Sequence, residues 1–314
     1  MTLNNKGPTR QDPVFVSVVY PTETSQKQAI LLADSIRTFG GALAQAPLWW
    51  YVPGYAAGEG QPSPELAPAM QARLQALAVE LIPFQIDASV ARFFFAADLE
   101  AAARAEERAA GQVAQLAWLT TNTLVLQEPR DFLLGKEASV GYRPVHHTNV
   151  GSPFHEPLDP FWTAVYACCA VPEERVFPME THVDQATIRP YVNAGHLVVR
   201  PECGLLRAWH DTFFRVYRTP EFEYFYRQDQ RYVIFMHQAI LSGVLLSAVG
   251  RQAMQELPAA YNYPLHLYAE DATGGRPATL DELITCRYEA WDDLEGLPLA
   301  AGERYRAWLG ERLG

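Results

Sequence analysis

Apolar and polar positions repeat along the first 130 residues with two alternating periods. "VFVSVVY", from Val14 to Tyr20, is β-branched and aromatic enough for a strand, and Pro21 closes it. "TSQKQAILLADSIRTFGG" then sets Ile30, Ala33, Ile36 and Arg37 at helical spacing, with Gly40 and Gly41 at its stop. "LWWYVPG" reads as a second strand, followed by a Pro- and Gly-rich loop from Gly54 to Pro64. "SPELAPAMQARLQALAVE" predicts an amphipathic helix marked by Met70, Leu74, Leu77 and Leu81, and "LIPFQI" a third strand. The alanine-rich "AADLEAAARAEERAAGQ" is a helix by propensity and leads into a fourth strand, "LAWLTTNTLVLQEP". Strands alternating with helices predict right-handed crossovers, and so an α/β fold with a mainly parallel, Rossmann-like sheet covered by helices on both faces. Such sheets bind ligands at the carboxyl ends of their strands, a rule that puts residues 20–24 and 120–123 on one rim.

Beyond Pro129 the alternation weakens, and loops are expected through "YRPVHHTNVGSPFHEPLDPFW". A strand returns in "YVNAGHLVVRPE", followed by a helix in "GLLRAWHDTFFRVYR". "QRYVIFMHQAILSGVLLSAV" is nearly all apolar, the signature of a buried helix. The pattern divides into a flexible N-terminus (1–13), a single α/β domain (14–280) and a C-terminal extension (281–314) packed on the domain. That extension reads as irregular structure plus one short amphipathic helix, "GERYRAWLGERL".

Composition narrows the function classes. A chain of 314 residues, 49% hydrophobic, can bury a substantial core. Its net charge of -11, from 36 acidic and 25 basic residues, argues against nucleic acid or an anionic membrane as partner. A compact anion held by a few local donors stays compatible with that charge. The polar start and the lack of a long apolar run predict no membrane span and a cytoplasmic location. Cys168, Cys169, Cys203 and Cys286 form no Cys-x-x-Cys pair and read as free thiols.

Four stretches carry a family resemblance: "FVSVVYPTET", "AILLADSIRTFG", "LAWLTTNTLVLQEP" and "YVNAGHLVVRPE". In this order they resemble glycosyltransferases of the GT-A fold, the nucleotide-diphospho-sugar transferases that include the glycogenin-like enzymes. The resemblance covers about residues 14 to 245. It implies transfer of a sugar from a nucleotide-sugar donor. In that family an Asp-x-Asp pair at the fourth strand's end holds Mn or Mg, which neutralises the leaving diphosphate. Here the pair falls on Thr121 and Thr123, or on Asn122 and a neighbouring threonine, so the usual acidic ligands are absent.

Three readings follow from that departure. In a metal-poor or metal-independent transferase, cationic side chains replace the ion; Arg130, Lys136, Arg189 and Arg200 are the candidates. In a non-catalytic relative, the cleft binds a nucleotide sugar or glycan as a scaffold. In a rebuilt metal site, ligands come from His147, His182 and Asp184, within the histidine-rich stretches that also hold His146, His155, Glu156 and Glu180. Substrate-binding candidates are Tyr20 and Thr22 at the first strand's end and Thr121, Asn122 and Thr123 at the fourth. Asn193, Ala194 and Gly195 correspond to the family's Asn-Ala-Gly strand, against which stands a β-bulge capped by its asparagine. His237 and Gln238 are polar residues in an otherwise apolar helix, which either bind sugar or satisfy a neighbouring loop. Asp229 and Gln230 are candidates of the same kind. Trp49, Trp50 and the tyrosines of "YNYPLHLY" offer faces for stacking or for the core. The resemblance also brings His266 near the diphosphate.

Overall fold

The computed structural model describes residues 13–55, 65–90 and 93–313. Most of the expected N-terminal arm, residues 1–12, and most of the loop after the second strand, residues 56–64, lie outside them.

The first half follows the predicted order: β1 (Val14–Val18), α1 (Glu23–Phe39), β2 (Leu48–Tyr55), α2 (Pro68–Ala76), β3 (Val79–Ile86), α3 (Ala96–Ala109) and β4 (Leu116–Leu119). All five β1 residues are buried, as a strand covered on both faces requires. Helix α1 starts where the Thr22 hydroxyl accepts the Ser25 amide at 3.3 Å. Helix α2 ends sooner than its periodicity suggests, because Ala78 adopts φ 53° and turns the chain into β3; Leu81 is therefore a strand residue.

The expected fourth strand is two strands. After β4 the chain turns sharply, with the Thr123 amide donating to the Thr120 carbonyl at 3.1 Å, and enters β5 (Thr123–Val125), which belongs to another sheet. The stretch read as loops hides β6 (Val140–Pro144) and α4 (Pro160–Cys169), then β7 (Met179–Glu180) and β8 (Thr187–Ile188). Helix α4 is apolar on nearly every side, so it has no amphipathic period, yet Asp159 caps it by accepting the Trp162 amide at 3.0 Å. The predicted β9 (Val192–Val199), α5 (Leu205–Val216) and α7 (Gln230–Ala248) follow, with the unexpected α6 (Pro220–Gln228) between the two helices. The remaining elements are β10 (Met254–Glu256), β11 (Tyr263–Pro264), β12 (Thr285–Arg287), α8 (Asp292–Glu295) and α9 (Glu303–Leu313).

The main sheet has seven strands in the order β10-β6-β9-β4-β1-β2-β3, and only β9 runs antiparallel to its neighbours. One face packs against α3, α4, α5 and α7, the other against α1 and α2. Helix α7 is long and apolar enough to cross a bilayer, which corrects the expectation that no run reaches that length. Residues 236–246 of α7 are nevertheless buried against α4, α5 and β9.

A second sheet, β11-β12-β5, brings the C-terminal segment back onto the domain. Its core joins Leu124, Leu126, Tyr263, Tyr288 and Trp308 to Leu31 and Phe39 of α1. The carboxyl ends of β1, β4, β6 and β10 and the start of β9 share one rim, and residues after β12 close over it.

Candidate functional site

The rim is shaped by a bulge in β9. Tyr142 of β6 pairs with Leu197, but Pro144 pairs with Val192, so residues 193–196 of β9 lie opposite Arg143 alone. Asn193 Oδ1 accepts the Gly195 amide at 2.9 Å. Gln238 Oε1 accepts the Ala194 amide at 3.0 Å, and the Trp118 indole donates to the Ala194 carbonyl at 3.1 Å. Ser242 completes the support by accepting the Val192 amide at 2.9 Å. Gln238 is thus committed to a backbone group that the bulge leaves without a ladder partner, which is why a polar residue persists in α7.

The bulge is open enough for two other elements to meet on Gly195. The Thr120 amide donates to its carbonyl at 3.0 Å. A Cβ at position 195 would lie 3.1 Å from the Thr120 methyl and 3.2 Å from Arg287 Nη1, so glycine allows both approaches. Arg287 arrives because β12 pairs antiparallel with β5 and sets it opposite Thr123. Its guanidinium is held by Glu289, with Nε 2.9 Å and Nη2 2.8 Å from the same carboxylate oxygen.

These groups surround a cavity of about 270 Å³ at the end of β4. Phe95, Trp118 and Trp209 form its apolar part; Asp98, Thr120, His237 and Arg287 are among its polar groups. Asp98, in the first turn of α3, is 8% exposed and accepts a short hydrogen bond from the Tyr20 hydroxyl. Burial pushes its carboxyl up to about 7, against the lowering effect of that bond. His237 stacks on Phe95 with ring centres 4.2 Å apart, and burial takes its pKa down to about 3, so the ring is neutral. Its Nδ1 lies 2.9 Å from the Ile234 carbonyl, an acceptor only, so Nδ1 carries the proton and Nε2 is an acceptor.

Other candidates lie elsewhere. Thr121 turns to Gln28 of α1, with its hydroxyl 3.3 Å from Oε1, and Thr123 is fully buried with an unpartnered hydroxyl. Thr120, and not the Thr121–Thr123 pair, faces the cavity, because the tight turn rotates the pair away. Asn122 offers its carbonyl to the Tyr288 amide at 3.1 Å, and Thr22 caps α1. Trp49 and Trp50 are buried on opposite faces of the sheet, so of the two alternatives they take the core, and Tyr261 and Tyr263 are buried too. Asp229 caps α7 by accepting the Arg231 amide, and Gln230 is exposed beside it.

The expected cations are engaged away from the cavity. Arg130 is an exposed partner of Glu128. Arg200 donates to the carbonyls of Leu134, Gly135 and Ala138, and Arg189 to Ser152 and the carbonyls of Pro153 and Glu156. Lys136 is exposed outside the cavity lining. Arg287 went unnoticed because the tail shows no period, although "TCRY" is β-prone enough to have suggested a short strand.

The three metal candidates do not converge. His147 Nδ1 hydrogen-bonds Asp184, while its Nε2 is 3.5 Å from Glu270, so the two carboxylates flank opposite ring nitrogens. His182 instead receives Arg143 Nη2 on Nδ1 at 3.0 Å. His146, half-buried, has its Nε2 3.0 Å from the Asn262 carbonyl. Among the described residues no three His, Cys, Asp or Glu side chains are gathered as a metal-binding group. At the strand end, hydroxyls and an amide beside a guanidinium do not fit a hard dication. His266 lies near this corner, its Nε2 3.9 Å from Glu289. A larger cavity of about 590 Å³ opens at the ends of β6 and β10. Its one arginine, Arg143, is already bound to Glu256, His182 and the Leu257 carbonyl, so it offers less to an anion.

A mainly parallel sheet with one reversed strand, and a cleft at the strand end where a polar turn meets a small-residue bulge, defines a GT-A-type sugar-nucleotide transferase fold. The solved galactosyltransferase LgtC, in complex with donor and acceptor sugar analogues, has this fold: TM-score 0.51, 13% identity, 95% of each chain covered. A structure of an active-site variant of LgtC gives a TM-score of 0.49 at 11% identity, covering 93% of this chain and 99% of that one. No curated protein sequence matches the chain. The family model of the Rhodobacterales glycosyltransferase domain matches residues 16–245, and the chain belongs to that family.

Proposed function

We propose that this glycosyltransferase takes a nucleotide-sugar donor and transfers the sugar without a divalent ion, with Arg287 supplying the countercharge for the leaving diphosphate. The observation that carries this reading is the placement of the Arg287 guanidinium over Gly195 and beside Thr120, at the strand end that the GT-A resemblance assigns to a metal. A guanidinium offers a planar fork of donors suited to phosphate oxygens and keeps its charge throughout the neutral range. Glu289 occupies that fork, and an incoming diphosphate displaces it or shares it.

The remaining groups divide the work. The small cavity is below the usual size for a drug-sized ligand and suits one sugar ring, leaving the nucleotide along the ends of β1 and β4. Asp98 and His237 Nε2 accept hydrogen bonds from sugar hydroxyls, and Trp118 and Phe95 cover the ring's apolar face. In the transfer the bond between the anomeric carbon and the diphosphate oxygen breaks, a bond to the acceptor oxygen forms, and the acceptor's proton is released. Arg287 stabilises the charge that grows on the diphosphate, a favourable interaction because it strengthens in the transition state.

The test is turnover of a nucleotide-sugar panel in excess EDTA, comparing wild type with R287Q. Turnover that survives EDTA and falls at least about tenfold in R287Q supports the reading, since charge-assisted bonds of this kind are worth roughly 1.5–3 kcal/mol. Turnover abolished by EDTA and restored by Mn²⁺ contradicts it.

A further inference from the structure

The transfer releases a proton from the acceptor, and three residues lining the small cavity carry an atom able to take it: Asp98, His237 and Glu289. His237, with its pKa taken down to about 3 by burial, is too weak a base. Asp98 is buried and engaged with the Tyr20 hydroxyl. Glu289 is exposed, and its contacts fall on one atom. Oε1 accepts Arg287 Nε at 2.9 Å and lies 2.8 Å from Nη2, and His266 Nε2 stands 3.9 Å from the same oxygen; Oε2 takes part in none of these contacts. The backbone beneath Glu289 is fixed from two sides. The Tyr288 amide donates to the Asn122 carbonyl at 3.1 Å in the turn after β4, and Asp293 of α8 accepts the Glu289 and Ala290 amides at 2.8 and 2.9 Å. A swing of Glu289 away from Arg287 therefore involves its side chain alone.

We propose that Glu289 is a catalytic base released by donor binding: the diphosphate takes Arg287 from it, and the freed carboxylate accepts the proton of the acceptor hydroxyl. The inference rests on the reading of Arg287 as the diphosphate site. The anomeric carbon is bonded to an oxygen of the diphosphate held on that fork, so a carboxylate in contact with the same guanidinium is within reach of the reacting atoms. A carboxylate that exchanges a cationic partner for a neighbouring anion also holds a proton more tightly, so the displacement itself prepares the base. The proton passes from the acceptor O–H to Glu289, and the acceptor oxygen's electron pair forms the bond to the anomeric carbon. The pair of the breaking carbon–oxygen bond goes to the diphosphate beside Arg287. When the diphosphate leaves, Glu289 gives its proton to solvent and returns to Arg287. Until the donor arrives the carboxylate stays paired, which orders donor before acceptor.

The experiment uses the full chain in excess EDTA with water as the acceptor. Release of nucleoside diphosphate from UDP-glucose, UDP-galactose and GDP-mannose is followed beside calorimetric titration of UDP and GDP, for wild type, E289Q and D98N. Glutamine keeps the shape of the side chain and removes the charge that competes for Arg287. E289Q should therefore bind the nucleoside diphosphate more tightly, by up to about fivefold, the worth of an exposed ion pair. It should nevertheless hydrolyse the nucleotide sugar at least about a hundredfold more slowly, as loss of a general base requires. A merely structural role would move both in the same direction. The wild-type rate should fall at acid pH as the base is protonated, with that limb absent from E289Q and kept in D98N. Weaker nucleoside diphosphate binding in E289Q, hydrolysis that E289Q leaves unchanged or that wild type lacks, or an acid limb lost in D98N instead, overturns the proposal. R287Q, titrated in the same series, loses nucleoside diphosphate affinity if the diphosphate sits on Arg287, whatever Glu289 does, so failure of the base and failure of the transfer reading are distinguishable.

Discussion

Arg287 stands opposite Thr123 in the β12–β5 ladder, and its Nη1 passes over Gly195 of β9. Residues from three distant parts of the chain thus meet at one strand end, and the cation comes from the last of them. On the proposed reading, the guanidinium at this strand end takes the part that the GT-A resemblance gives to an ion on an acidic pair.

Replacing Gly195 by alanine should displace that guanidinium. The added carbon meets Thr120 and Arg287 at 3.1–3.2 Å, and the neighbour that can yield is the arginine side chain. Overpacking of this sort costs about 1–3 kcal/mol where the surroundings are rigid. Thermal unfolding should show a loss at the lower end of that range, with a larger loss of nucleotide-sugar turnover. Full turnover in G195A would mean that the guanidinium position is immaterial.

Gln238→Ala should act through the bulge. It leaves the buried Ala194 amide unpaired, a loss of about 1–3 kcal/mol in chemical denaturation. Gln238→Glu keeps an acceptor at the same place and should recover most of that stability below neutral pH. If Q238A were as stable as wild type, the bulge would be held by other contacts.

Asp98 sets a pH dependence with a definite sign. Burial disfavours the charged form and pushes its carboxyl from the ordinary 3.8 up to about 7 in the folded chain. A raised folded pKa means that the native state binds the proton more tightly, so its contribution is fully present below about pH 4 and is lost as pH rises through 7. D98N should remove that part of the slope between pH 4 and 7 in denaturant titrations. An unchanged slope would place the ionisation elsewhere.

The legible parts of the fold were those with a local period. Strands β1, β2 and β9 and helices α1, α3, α5 and α7 show it in their residue patterns. Helix α4 was hidden because its residues are apolar on nearly every side, and the short β6, β10 and β12 because three to five residues carry too little pattern. "TTNT" and "NAG" do come together at one cavity, but only the turn after Thr120 decides which hydroxyl faces it. Asp98 looked like one acid in an alanine-rich helix, and its contact with Tyr20 spans 78 residues. Arg287 depends on a strand pairing that no local pattern announces.

The most direct test of the central claim is calorimetric titration of UDP, GDP and ADP into wild type and R287Q, each with EDTA and with Mn²⁺. The account predicts that one nucleotide binds wild type equally well in both buffers and loses at least about tenfold in R287Q, the worth of a charge-assisted contact to phosphate. Binding that requires Mn²⁺ and is indifferent to R287Q would contradict it and return the diphosphate to a metal held by other residues.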